Sequence, residues 1–172
     1  RSPADLLPHL DACRRRQALH EAMDQPGAVV ADLSAMLRAL MPVCTARPDG
    51  RRLLADLYAQ RAEWNLRACR ARSALEDCNR AVRFAEPLPG APLTDDETAA
   101  LVRLLLARAV FARRHRMVEL ESEDLDRALT LLHTVPGGNE SAMAQALQMR
   151  AELRLRAGRA DDVQADLDRA SA

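Results

Sequence analysis

Three stretches of this chain restate one another: RAEWNLRACRARSALEDCNRA from Arg61, RAVFARRHRMVELESEDLDRA from Arg108 and RAELRLRAGRADDVQADLDRA from Arg150. Each opens and closes on Arg-Ala with its two arginines 19 positions apart, and each carries an aspartate three before the closing arginine: Asp77, Asp124 and Asp166. The repeat recurs after 47 and then 42 residues. That recurrence constrains the fold more than composition does, because a unit of this length is one supersecondary element that buries its apolar face only against its neighbours. The excess over the roughly 34 residues of the shortest helix-pair repeats lies in EPLPGAPLTDDE and HTVPGGNES, where Pro and Gly oppose helix.

Each unit reads as two helices. In the third, Leu147, Ala151, Leu153 and Leu155 precede Gly158, a helix-ending residue, and Val163, Leu167 and Ala170 follow at helical spacing. Thr94 with Glu97 and Ser73 with Glu76 fit the S/T-x-x-E capping box. After Thr94 no breaker occurs until about Val135, and Arg116 stands where the third unit has its glycine, so a single bent helix is an alternative in unit two. Upstream, Ser2-Pro3 reads as a helix start. A helix to about Met23, the turn DQPG and a second helix to the breaker TARPDG make a fourth pair in poor register with the rest. The expected fold is all-α, with about eight helices in one domain: a degenerate pair over 1–50 and repeats over 51–86, 95–135 and 139–172.

Composition narrows the chemistry. Aromatics are 2% of the chain and basic and acidic residues balance at 25 each. The core is therefore built of small and aliphatic side chains, and no net field draws in a polyanion or an anionic membrane. Every basic residue other than histidine is Arg, which excludes P-loop, Schiff-base and lysine general-base chemistry. Cys13, Cys44, Cys69 and Cys78 show no CxxC spacing and read as reduced core cysteines of a cytoplasmic protein. No apolar run approaches a membrane span, since Arg103 and Arg108 cut AALVRLLLARAVFA. No signal peptide is evident, although a chain that opens with Arg1 reads as a segment of something longer.

With the repeats aligned, LYAQRAEWNLRACRARSALEDCNRAVRFAEP resembles the unit of tetratricopeptide repeat proteins, and the likeness extends over residues 51–172. The family's small residue in the first helix falls on Ala62, Ala109 and Ala151. Its turn glycine falls on Gly158, with Cys69 and Arg116 in the other two units. The second-helix pattern falls on Ala74, Cys78 and Ala81 and on Val163, Leu167 and Ala170, with Glu121 as a departure in unit two. The resemblance implies a right-handed superhelical α-solenoid of antiparallel helix pairs whose first helices line a concave groove. Apart from the family, helix axes about 8–10 Å apart leave room only for Ala or Gly where backbones cross. The Asp77–Arg80, Asp124–Arg127 and Asp166–Arg169 pairs read as exposed i,i+3 helix support worth roughly 0.2–0.5 kcal/mol each.

Carried over residue by residue, the family's groove positions are Gln60, Glu63 and Arg67, then Arg103, Val110, Arg113 and Arg114, then Gln145, Gln148, Met149, Glu152 and Arg156. Five of these are Arg and two are Glu, so the expected function is a non-catalytic scaffold or adaptor that holds an acidic peptide or helix through charge-assisted bonds. The chaperone-tail clamp of related cochaperones does not survive here, because Gln60, Gln145 and Met149 replace its polar and cationic residues. A single-stranded RNA-binding helical repeat is the alternative of a second class. Self-assembly is a third, since Leu167 and Ala170 lack a following helix to cover them. His9, His20, His115 and His133 form no metal motif, no cofactor is implied, and no catalytic constellation is present. The acidic run from Glu119 to Asp126 reads as a favourable helix start, and Tyr58 and Trp64 as core anchors.

Overall fold

A computed structural model of the chain describes residues 3–134 and 140–158. Among these residues the architecture is all-helical, with seven helices and no strand: α1 (Pro3–Ala22), α2 (Pro26–Cys44), α3 (Pro48–Arg67), α4 (Ala71–Ala85), α5 (Asp95–Arg114), α6 (Val118–Leu132) and α7 (Glu140–Arg156). The helix expected around Val163, Leu167 and Ala170, with the Asp166–Arg169 pair, lies outside the described residues. The chain divides into two compact units, Arg1–Ala91 and Pro92–Ala172. The division falls in the Pro- and Gly-bearing connection after Glu86.

Local chemistry sets most of the helix ends. Thr94 caps α5 with both halves of the capping box: its Oγ1 accepts from the Glu97 amide and its own amide donates to Glu97 Oε2 at 2.9 Å. The second expected box is absent, because α4 begins at Ala71 and places Ser73 inside the helix. Glu76 instead approaches Arg72 at 3.6 Å. Pro48, read as part of a breaker, begins α3 as its first residue, where a missing N–H costs nothing. Gly50 two residues on is required by packing, since a Cβ there would lie 2.5 Å from the Cys44 carbonyl oxygen.

Unit two is two helices rather than one bent rod. The turn is made by Arg116 in the left-handed region at φ 57°, and the aligned Cys69 and Gly158 do the same at 58° and 73°. Asp24 between α1 and α2 is a fourth instance at 49°. Turn chemistry common to glycine is thus carried here by Asp, Cys and Arg, at a backbone cost of about 1–2 kcal/mol each.

The two repeat aspartates among the described residues, Asp77 and Asp124, are buried, which corrects the expectation of exposed helix support there. Asp77 is 1% exposed and is held by Arg61 through Nε at 2.8 Å and Nη2 at 2.5 Å, and by Asn65 at 2.9 Å. Asp124, also 1% exposed, is held in the same two-pronged way by Arg108 at 2.9 and 2.6 Å. Arg80 adds only a 3.6 Å contact from the surface. Each bridge runs from the opening arginine, eight residues before the turn, to an aspartate eight residues after it. Two antiparallel helices bring those positions opposite one another. Arg16 and Asp32 stand in the same relation about Asp24, with Arg16 Nε donating to Asp32 Oδ1 at 2.5 Å and His20 Nδ1 at 2.9 Å from Oδ2. The N-terminal pair is therefore in register with the others. The pKa values of Arg16 and Arg61 are raised chiefly by their hydrogen bonds to aspartate, so these cations stay charged far above neutral pH.

Packing joins the pairs within each unit. In the first, α1 packs on α2, α2 on α3 and α3 on α4; in the second, α5 packs on α6 and α6 on α7, which touches α5 only at a few residues. Ala62, Ala109 and Ala151 are all buried, as close helix approach requires. Arg61 reaches across pairs to Ser34 Oγ at 2.9 Å, and Arg51 donates to the Arg83 and Glu86 carbonyls that end α4, a placement that also suits the helix dipole. Tyr58 and Trp64 are core residues, and Tyr58 stacks on Phe84. Among the described cysteines only Cys13 is buried, while Cys69 at its turn is exposed. By length and composition α2 is apolar enough to cross a membrane, contrary to the sequence reading. It packs between α1 and α3 and carries Asp32 inside an ion-paired cluster.

Candidate functional site

The second unit opens a cleft of about 750 Å³ lined by Val110, Arg113, Arg114, Arg116, Val118 and Arg156. Local structure explains why so many arginines meet there. Arg113 and Arg114 form the last turn of α5 and Arg156 the last turn of α7, positions where unpaired carbonyls favour cations. Arg116 is the left-handed turn residue and Val118 the first residue of α6. Four arginines and two valines line one open cleft.

Two of the arginines are tied from behind. Arg113 forms an ion pair with Glu152 of α7, and Arg156 Nη2 donates to Glu121 Oε1 of α6 at 2.5 Å. Both keep access to solvent, with side chains 40% and 42% exposed. Glu121 is 0% exposed and its Oε2 has no hydrogen-bond partner among the described residues. It occupies the position held by Ala74 in the preceding pair. Arg114 and Arg116 are exposed and, among the described residues, face no carboxylate within ion-pair distance.

Of the groove residues expected from sequence, the cleft gathers Val110, Arg113, Arg114 and Arg156, with Glu152 as the counterion of Arg113. Arg103 is exposed on α5, and Gln145 and Gln148 are exposed on α7, none of them lining the cleft. Met149 is 6% exposed and belongs to the core. Gln60, Glu63 and Arg67 are exposed on α3 of the first unit. There Arg67 pairs with Glu63 at 3.1 Å and lies 4.4 Å over the Trp64 ring, a self-contained surface cluster. Arg116 and Val118 lie outside the family's groove positions: in the sequence Arg116 carries a turn signal and Val118 only opens the following helix, and it is the folded turn that brings both to the cleft.

A second depression of about 460 Å³ lies along α6 and α7, with Leu129, His133, Met143 and Leu147 beneath an Asp126–Arg150 pair at 3.2 Å. Its charge is internally matched. Among the described residues no group of three or more His, Cys, Asp or Glu side chains is placed to hold a metal ion. Neither a family model nor a curated protein matches the chain.

Proposed function

We propose that this chain is a non-catalytic interaction module of stacked helix pairs, like the tetratricopeptide repeat proteins its units resemble, and that it receives an acidic partner segment in the arginine-lined cleft of its second unit. The observation that carries the reading is the convergence of Arg113, Arg114, Arg116 and Arg156 on one open cleft with Val110 and Val118 beside them. Guanidinium groups supply planar pairs of N–H donors that match carboxylates, and the valines supply an apolar strip for flanking aliphatic residues. Arg113 and Arg156 are already ordered by their counterions, so less side-chain entropy is lost on binding. The reading assigns no reaction and no cofactor to the module, and places it in a reducing, cytoplasm-like compartment suited to free cysteines.

The test is fluorescence anisotropy with a labelled peptide alternating Glu with Leu or Val. Arg114→Glu combined with Arg116→Glu removes two charged donors and adds repulsion, which weakens binding at least about tenfold. Rising salt weakens the parent complex as well. Equal binding by parent and variant at low ionic strength would dismiss the cleft as the site.

A further inference from the structure

We propose that the anion this cleft is shaped to take is a phosphomonoester on a partner's serine or threonine, in preference to a carboxylate; the inference rests on the partner-binding reading above. The first ground is charge. Of the four arginines lining the cleft, Arg113 and Arg156 are each matched by a carboxylate of this chain, Glu152 and Glu121. Arg114 and Arg116 remain as two cations in excess. One aspartate or glutamate neutralises half of that excess, whereas a phosphomonoester carries about −1.5 to −2 near neutral pH.

The second ground is geometry. A carboxylate has two oxygens in one plane and saturates a single guanidinium fork. A phosphomonoester presents three strong acceptor oxygens in different directions, so forks arriving from the end of α5, the turn and the end of α7 can be engaged together. The Arg113 and Arg156 side chains are 40% and 42% exposed while held by their counterions, and a guanidinium has five donors, more than one carboxylate uses.

The third ground is Glu121. A carboxylate fully buried with one oxygen unsatisfied among the described residues costs stability, because that acceptor gives up its water without a replacement hydrogen bond. It stands where the preceding pair has a plain alanine, and its single described partner is an arginine of the cleft. A costly buried group that breaks the pattern of its own repeat marks a functional position. Here it positions Arg156. Val110 and Val118 then flank the phosphate with aliphatic surface, which favours a peptide. Among the described residues no aromatic side chain lines the cleft, so they offer no platform for the base stacking that anchors single-stranded RNA.

The experiment compares three labelled peptides identical except at the central residue, phosphoserine, aspartate or serine, each flanked by Val and Leu, together with a single-stranded oligouridylate. The phosphoserine peptide binds at least about tenfold tighter than the aspartate peptide, the margin expected of one further charge-assisted contact. Its affinity also rises as pH climbs from about 5 to 7.5, through the second phosphate ionisation near 6, while that of the aspartate peptide does not. Arg116→Gly is the clean variant, because residue 116 already has φ 57° and glycine fits that turn. It lowers phosphopeptide affinity while thermal unfolding is unchanged or raised.

Equal affinity for the phosphoserine and aspartate peptides overturns the phosphate assignment and leaves the acidic-partner reading standing. Binding of neither, with the protein folded, overturns both. Tighter binding of the oligouridylate, or full phosphopeptide affinity in Arg116→Gly, also overturns the assignment.

Discussion

The pairs α3/α4 and α5/α6 share one plan and differ at one buried position. Both are locked by a two-pronged arginine–aspartate bridge, Arg61 to Asp77 and Arg108 to Asp124. In the first, Ala74 lies in the seam as small, fully buried packing. In the second, Glu121 takes that place and reaches out of the pair to Arg156 on α7. The other oxygen of the Glu121 carboxylate is buried with no hydrogen-bond partner among the described residues. One repeat position thus serves packing in one pair and, in the next, fixes a cation at the rim of a cleft.

The largest way to break the comparison is to open either bridge. Asp77→Ala and Asp124→Ala each strand a mostly buried arginine, with side chains 16% and 14% exposed, and lower stability in urea unfolding by about 3–5 kcal/mol. Equal costs in the two pairs show that the shared plan carries equal weight in both. A loss under about 1 kcal/mol at either site would mean that the bridge follows packing instead of securing it.

Gly50→Ala comes next, because its Cβ meets the backbone of Cys44, which cannot yield as a flexible side chain would. It costs about 1–3 kcal/mol, as overpacking does elsewhere, and leaves the second unit unaffected. The Glu121–Arg156 pair sharpens the comparison through asymmetry. Arg156→Ala leaves a fully buried carboxylate unpaired and is costly, whereas Glu121→Ala leaves an arginine that is already 42% exposed and copies the Ala74 seam. Glu121→Ala therefore stays within about 1 kcal/mol of the parent, yet loosens Arg156 and weakens phosphopeptide binding. Symmetrical losses would remove the positioning role.

The smallest effect is at the turns. Cys69→Gly and Arg116→Gly relieve left-handed strain at φ 58° and 57° and raise stability by up to about 1 kcal/mol each, after the greater unfolded-state entropy of glycine is subtracted. Destabilisation by either would show that its side chain contributes more than its backbone strain costs.

Much of this was readable in the residues. The Arg-Ala frame located the repeats, the alignment picked out Cys69, Arg116 and Gly158 as one turn position, and Ala62, Ala109 and Ala151 as close-approach residues. Val110, Arg113, Arg114 and Arg156 are four of the twelve groove positions the family alignment gives; Arg103, Gln145, Gln148 and Met149 in the same unit do not line that cleft. The register of the N-terminal pair escaped because Gln17 and Ala35 break the Arg-Ala frame, even though Arg16, Asp24 and Asp32 keep its spacing. Ser73 looked like a cap because a four-residue motif cannot say where the preceding turn ends.

Sequence alone determined the modular helical plan, since apolar spacing, Pro, Gly and capping pairs act over a few residues and need no partner. Tertiary structure decided what the charges do. An aspartate can pair with an arginine three residues along its own helix or with one sixteen residues back on the neighbouring helix. Only the antiparallel packing, which buries that aspartate and brings the distant arginine opposite, selects between them. The same packing turns Glu121 from one acidic residue in a run into a buried support for Arg156, because burial is a property of the assembled helices and not of any stretch of chain.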